Sequence, residues 1–168
     1  MMQNKPCISG FAAEAGKKEG EGPLARRVDK LYGDTHLGQT TWEKAESTMQ
    51  GEVVTLALGK ANLTPGELQL ILAGDLLNQC ISSTYGLREP NVPMLGLFGA
   101  CSTMALSLAT GAVLVESGAV QNCAAVTSSH FCTAERQFRY PLDYGGQRAP
   151  TSQWTATAAG CTVLTPGG

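Results

Sequence analysis

Short apolar runs alternate along the chain with stretches in which apolar residues recur at helical spacing. Thr40 and Glu43 have the spacing of a capping box, and apolar positions then repeat every three or four residues as far as Ala61. We therefore predict a helix that begins at Thr40 or Thr41 and ends at Ala61. The almost continuous apolar run at 68–73 is typical of a strand that is covered on both faces.

The remaining segments continue this alternation of strands and helices. We predict four further strands, over residues 5–12, 93–98, 122–128 and 154–164. We predict two further helices and one ordered polar loop, namely a short helix over 77–87, a helix that follows 99–103 and ends near 117, and the loop 135–150. This order favours an α/β fold with a mixed, mostly parallel sheet and right-handed crossovers.

The most apolar stretch is 94–115, with no charged residue between Glu89 and Glu116. Its length would suffice to cross a bilayer. Pro93 precedes it, however, and glycine, serine and threonine interrupt it throughout. We therefore predict a buried strand, a tight turn and a buried helix rather than a transmembrane helix. The N-terminus also lacks the apolar run that a secretory signal needs.

Composition and charge narrow the possible functions. The 168 residues suffice for one domain, residues 1–168, and 43% of them are hydrophobic against 15% charged. A net charge of −2 gives no electrostatic basis for binding nucleic acid. The six cysteines include no C-x-x-C pair, and the chain has only two histidines. We therefore predict free thiols in a reducing compartment, no metal site and no cofactor.

Three chemically useful side chains, Asp75, Cys101 and His130, each follow the end of a predicted strand. In parallel sheets, ligands bind outside the carboxyl ends of the strands. We therefore expect these three side chains to gather at one sheet edge and to line a ligand pocket there.

Each of the three residues also has a purely structural interpretation. Cys101 lies where a strand turns into a helix, and the N–H groups of a helix N-terminus stabilise an anion. This position suits a nucleophile or a ligand contact, but free cysteine is also a common core residue. His130 suits a general base or a carboxylate partner, or else a core histidine. Asp75 suits a ligand contact, or else the N-cap of the next helix.

The run Glu135-Arg136-Gln137-Phe138-Arg139-Tyr140 interleaves cations with aromatic rings. Arginine binds carboxylates through two parallel hydrogen bonds, and aromatic faces pack against planar rings. Arg136 and Arg139 could therefore bind an aromatic dicarboxylate. Salt bridges within a loop, or a dimer contact, would explain the same residues.

Several motifs together resemble the stage V sporulation protein AD family of the thiolase-like superfamily. These motifs are EGPLA (21–25), GQTTWEKAE (38–46), LAGDLLNQ (72–79), GLFGACSTM (96–104), TSSHF (127–131) and ERQFRYPLDYGGQRAPTSQWT (135–155). The resemblance implies a thiolase-like fold of two similar halves, of which this chain supplies the N-terminal half. It also implies that Cys101 occupies the nucleophile position of thiolases and ketoacyl synthases, whose catalytic partners come from the C-terminal half.

The resemblance implies a function as well, namely binding of dipicolinic acid, with calcium, for its uptake into the developing spore. Expected partners are dipicolinic acid or its calcium complex and other proteins of the same spore transport complex. The expected location is peripheral, on the cytoplasmic side of the forespore inner membrane. The alternative is an acyltransferase of the thiolase or ketoacyl synthase type that uses Cys101 as its acyl acceptor.

The helix after Cys101 is apolar or small on nearly every side. A helix of this kind must be buried on every side. In the resembled fold it lies between two sheets, one from each half. We therefore expect this chain to expose an apolar face, and to associate with itself or with a C-terminal half.

Overall fold

The computed structural model describes residues 3–77, 79–138 and 149–167. The strands in these ranges are β1 (Cys7–Ala15), β2 (Lys30–Leu31), β3 (Leu70–Gly74), β4 (Met94–Gly96), β5 (Cys123–Ser129) and β6 (Ala158–Thr165). The α-helices are α1 (Trp42–Ala61), α2 (Ile81–Gly86), α3 (Thr103–Glu116) and α4 (Phe131–Phe138). Four of the five predicted strands overlap closely with these bounds, whereas the two-residue strand β2 was not predicted.

The strands form one mixed sheet in the order β2-β1-β6-β5-β3-β4. The pairs β1–β2, β3–β4 and β3–β5 are parallel, whereas β6 is antiparallel to both β1 and β5. The mostly parallel α/β fold predicted from the sequence is therefore confirmed. Helices α1 and α3 cover opposite faces of this sheet.

Strand β3 shows why both faces need a helix. Ile71 and Ala73 pack into the core cluster that contains Met49 and Val53 of α1, whereas Leu72 packs into a second cluster with Val115 of α3. Successive strand residues point to opposite faces, so an uninterrupted apolar run requires a cover on each side.

Helix α1 begins one residue later than a Thr40 cap would place it. The hydroxyl of Thr41 accepts a hydrogen bond from the Lys44 N–H at 3.2 Å, so Thr41 is the N-cap. The capping box predicted from Thr40 and Glu43 is absent because the cap lies one residue later, which places Lys44 and not Glu43 at the third helical position. The Glu43 carboxylate pairs with Arg136 of α4 instead. The helix ends at Ala61 as predicted.

Three boundaries differ from the sequence prediction. Helix α2 spans only Ile81–Gly86, and β6 begins at Ala158 rather than near Trp154. The predicted loop 135–150 overlaps α4, which buries Thr133 and Ala134 against the rest of the fold. Residues 139–148 of that loop lie outside the described residues.

Helix α3 packs against the sheet through a stripe of mostly small or polar residues. Thr103, Ser107, Gly111 and Val115 recur every four residues and are buried. The opposite side, which includes Leu106 and Val113, is exposed. The exposed apolar face expected from the sequence is therefore present. Over the described ranges, none of the helices is long and apolar enough to cross a membrane.

Candidate functional site

A cavity of about 750 Å³ lies at the sheet edge where β3 and β5 end and α3 begins. Its wall includes Asp75 after β3, Cys101 before α3, and residues of the strand ends and the segment before β6. These further residues are chiefly Thr127, Ser128, Ser129, Phe138, Trp154 and Thr155. This position at the carboxyl ends of β3 and β5 agrees with the general rule for ligand sites in parallel sheets.

Cys101 lies in a tight 3₁₀ turn, Ala100–Ser102, that joins β4 to α3, and its side chain is exposed to the cavity. Ala100 has a left-handed backbone, with φ of +47°, which strains a residue that has a Cβ. The Thr103 hydroxyl holds this turn closed, because it accepts from the Gly99 N–H at 3.0 Å and donates to the Ala100 carbonyl at 2.8 Å. The tight turn predicted from the sequence is therefore present, and Cys101 is exposed rather than part of the core.

Asp75 lines the same cavity and is almost completely buried. Its Oδ1 accepts from the Leu77 N–H at 3.0 Å. Its Oδ2 accepts from the Ser83 N–H at 2.9 Å and from the Ser83 hydroxyl at 2.7 Å. Asp75 therefore fixes α2 against the end of β3, and it also supplies the carboxylate of the cavity wall.

A second buried carboxylate, Glu46 of α1, lies directly behind this wall. Its Oε1 accepts from the Ser128 hydroxyl at 2.9 Å, and its Oε2 accepts from the Thr133 hydroxyl at 2.9 Å. Burial, reinforced by the nearby charge of Asp75, raises the pKa of Glu46 to about 7. The sequence analysis missed Glu46, although a glutamate beside the buried face of an amphipathic helix is a usable signal.

His130 does not belong to the described wall of the cavity. Its Nε2–H donates to the Thr35 carbonyl at 2.8 Å, and its Nδ1 accepts from the Cys132 N–H at 3.2 Å. Both ring nitrogens are therefore engaged within the chain, and the ring ties the loop around Thr35 to the end of β5. The expected convergence of three side chains holds for Asp75 and Cys101 but not for His130.

This placement predicts a pH effect on stability. Burial lowers the pKa of His130 below 6.5, so the folded chain keeps the ring neutral while the unfolded chain gains a proton as the pH falls below 6.5. Wild type should lose stability relative to His130→Gln by up to about 1.4 kcal/mol per pH unit in that range. Urea unfolding at several pH values measures this difference. The control is the variant His36→Gln, which removes an exposed histidine. A pH-independent difference would contradict the interpretation.

Arg136 does not contribute to the described wall either. Arg136 pairs with Glu43 of α1 and lies with its guanidinium carbon 5.8 Å from the centroid of the Trp42 ring. It borders a different, smaller cavity of about 480 Å³. Arg136 therefore forms a salt bridge, which was the structural alternative to ligand binding, whereas Arg139 lies outside the described residues.

Aromatic residues form the outer part of the cavity. Trp154 lies in the wall together with Phe138, and its ring stacks on Phe131 with 4.5 Å between centroids. The Lys18 ammonium lies 4.6 Å from the centroid of the Trp154 ring. The sequence analysis assigned Trp154 to a strand and therefore missed its place in the site.

The fold resembles that of solved 3-oxoacyl-[acyl-carrier-protein] synthase III structures. The 3-oxoacyl-[acyl-carrier-protein] synthase III of Aquifex aeolicus superposes with a TM-score of 0.60 at 17% identity, over 96% of this chain and 54% of that chain. The corresponding synthase III of Xanthomonas oryzae gives a TM-score of 0.63 at 14% identity, over 99% and 57%. At these identities the matches show only that the fold is shared. The shared fold is the thiolase-like fold.

Within this class, the whole of residues 1–168 matches the family model of the stage V sporulation protein AD. The stage V sporulation protein AD of Bacillus subtilis is 44% identical over 162 residues, which are 95% of this chain and 48% of that protein. The chain therefore belongs to the stage V sporulation protein AD family, as its motifs indicate. It spans about half the length of this curated relative.

Proposed function

We propose that this chain is the ligand-binding N-terminal half of a spore-formation protein that binds dipicolinic acid for uptake into the forespore. The observation that carries the proposal is the cavity beside Cys101, which combines an aromatic wall with hydroxyl groups at the carboxyl edge of the sheet. Membership of the stage V sporulation protein AD family supports the role in spore formation.

The cavity wall suits a small planar ring that carries two carboxylates. Trp154 and Phe138 offer apolar surface to a pyridine ring, and aromatic pairs favour offset or edge contacts. Thr127 and Thr155 supply wall hydroxyl groups that can donate to carboxylate oxygens, together with the N-terminus of α3. The wall hydroxyl groups of Ser128 and Ser129 already donate within the chain, to Glu46 and to the Ala156 carbonyl. A volume of about 750 Å³ falls within the range of small-molecule sites.

The calcium complex is the better form of this ligand for the cavity. The Asp75 carboxylate in the wall would repel a bare dicarboxylate. Calcium prefers carboxylate and other oxygen ligands, and its charge compensates that of dipicolinate. We therefore propose that the cavity binds dipicolinate more tightly as its calcium complex than as the bare dicarboxylate.

The remaining parts of the proposal concern location and partners. We propose that the protein acts peripherally, on the cytoplasmic side of the forespore inner membrane. Its protein partners would be other members of the same transport complex. The exposed apolar side of α3 is a surface that such a protein, or a second half of the fold, could cover.

Binding can be tested by calorimetric titration with dipicolinate, with and without calcium. The titration uses the chain alone and the chain mixed with the C-terminal half of its Bacillus subtilis relative. Cys101→Ala and Trp154→Leu should weaken binding roughly tenfold to a hundredfold, because each removes a wall contact.

Two exposed residues of β1 give matched controls for this titration. Cys7→Ala removes a thiol, and Phe11→Leu removes an aromatic ring, at positions that are not part of the described cavity wall. Both variants should bind dipicolinate like wild type. Absence of binding by wild type in every preparation, or unchanged binding by both wall variants, would overturn the proposal.

Acyl transfer is the second candidate function, and the presentation of Cys101 in the cavity favours it. A strained turn that exposes a thiol near a helix N-terminus also suits an acyl acceptor. Steady-state turnover of acyl-CoA or acyl-carrier substrates by the same preparations, lost in Cys101→Ala, would establish this alternative in place of ligand binding.

A further inference from the structure

We propose that Glu46 is the proton-accepting end of a buried hydrogen-bonded chain that reaches the cavity wall, so that an anionic ligand in the cavity draws a proton onto Glu46. This inference rests on the proposed function, because it takes the cavity to be the site of a dicarboxylate. Glu46 would then act as a positioning residue through Ser128, without touching the ligand itself.

The connection from Glu46 to the cavity is short. The Ser128 hydroxyl donates to Glu46 Oε1 at 2.9 Å, and Ser128 itself belongs to the wall. Gln50, one helical turn after Glu46, extends the chain through its amide, which lies 3.2 Å from the Ser128 hydroxyl and 3.2 Å from the Ser83 hydroxyl. Ser83 in turn donates to Asp75. The two buried carboxylates are thus ends of one polar network behind the cavity.

The network accommodates Glu46 in both protonation states. The Thr133 hydroxyl lies 2.9 Å from Glu46 Oε2 and 2.9 Å from the His130 carbonyl. One hydroxyl proton can serve only one of these acceptors. When Glu46 is ionised, Thr133 donates to it. When Glu46 is protonated, Oε2–H donates to Thr133, and Thr133 donates to the His130 carbonyl.

The groups around Glu46 leave its proton sensitive to added charge. Burial disfavours the ionised form most, and the Asp75 carboxylate, just after β3, adds negative charge. From β5 and α4, Ser128 and Thr133 provide neutral hydroxyl groups. The nearest cation of α4, Arg136, is already paired with Glu43, one turn earlier in α1. Burial and the Asp75 charge outweigh the hydrogen bonds from the two hydroxyl groups, which favour the ionised form, and raise the pKa of Glu46 to about 7, where added charge changes its protonation most.

The sign of the coupling follows from the ligand charge. A dicarboxylate near Ser128 disfavours ionised Glu46, so binding raises the pKa of Glu46 and takes up a proton. By linkage, affinity should fall as the pH rises above about 7, by at most about tenfold per pH unit. Calcium compensates the ligand charge, and the uptake should then be smaller.

The uptake can be counted by calorimetry in buffers that differ in their enthalpy of ionisation. Dipicolinate without calcium, titrated at about pH 7.5, should take up about half a proton per ligand if the pKa rises by about one. Glu46→Gln should bring the count close to zero. For wild type alone, the count should peak near neutral pH and decline at about pH 6 and pH 9. This pH profile tests the proposal even if the variant fails to fold.

Glu14 of β1 provides the matched control. It is also a completely buried glutamate whose pKa burial raises to about 7. It bonds to Tyr32 near the β2 edge of the sheet, and it is not part of the described cavity wall. Glu14→Gln should therefore leave the proton count unchanged.

The outcomes separate this inference from the proposed function. Binding by wild type without proton uptake, or an uptake that persists in Glu46→Gln, overturns the coupling and leaves dipicolinate binding intact. If Glu46→Gln changes affinity equally at every pH and keeps the wild-type count, Glu46 is only structural. No binding by wild type in any preparation overturns dipicolinate binding, and the coupling with it.

Discussion

Gly74→Ala is expected to lower the free energy of unfolding by about 3 kcal/mol or more. Gly74 is the last residue of β3, and a Cβ there would lie 2.1 Å from the Leu97 carbonyl oxygen and 2.5 Å from Thr103 Cγ2. The first of these atoms belongs to the backbone and cannot rotate away. The strand end would have to separate from the segment that leads to Cys101, so ligand binding should fall as well.

Gly59 of α1 is the matched control for this substitution. Nothing lies within 4 Å of a Cβ built on Gly59, and alanine is the better helix former. Gly59→Ala should therefore stabilise the fold by about 0.5–1 kcal/mol. Denaturant unfolding of both variants gives the comparison. A Gly74→Ala protein as stable as wild type would show that β3 and the Cys101 turn are not in such close contact.

The parts of the fold that the sequence predicted are those that local patterns determine. The apolar run of β3 and the 3.6-residue spacing of α1 can each be recognised within a single segment of sequence. A strand buried on both faces has a continuous apolar run, whereas a helix buried along one stripe has apolar residues every three or four positions. The turn at Cys101 was also predictable, since small residues between a strand and a helix permit a tight connection.

The parts that were missed depend on contacts between distant segments. The His130 ring bonds to the Thr35 carbonyl, 95 residues away in the chain. The direction of the ring at the sheet edge therefore depends on a contact between distant segments. The pairing of Arg136 with Glu43 likewise joins α4 to α1, and it occupies a side chain that the sequence analysis offered as a partner for a ligand carboxylate. Strand-end position alone identified Asp75 and Cys101 correctly as neighbours, but it could not give the direction of a side chain.

Several residues of the cavity wall both stabilise the fold and would contact the proposed ligand. Asp75 is both a wall carboxylate and the acceptor that fixes Ser83 of α2. Ser128 is both a wall hydroxyl and a donor to Glu46. For these residues, loss of binding in a variant is informative only when unfolding is measured in parallel. Cys101, which is exposed in its turn, is the wall residue that allows the cleanest test.

The largest effect that we expect concerns α3. Leu106 and Val113 are 39% and 61% exposed, on the side of the helix that faces away from the sheet. Together with Ala105 and Ala109, they form an apolar surface of roughly several hundred Å², at or above what monomers normally expose. The chain should therefore associate at micromolar concentration, with itself or with a C-terminal half of the fold. A micromolar dissociation constant corresponds to about 8 kcal/mol.

Val113→Lys tests which surface drives this association. A lysine at an exposed position of α3 keeps the helix but places a hydrated charge in the apolar surface, so the dissociation constant should rise at least about tenfold. Leu24→Lys is the control, because Leu24 is 70% exposed and lies in a loop before α1. Light scattering across a concentration series measures both variants and wild type. A wild-type chain that is monomeric, melts cooperatively and binds no hydrophobic dye would show that the exposed side of α3 needs no cover. Equal weakening by both lysines would instead indicate a general charge effect.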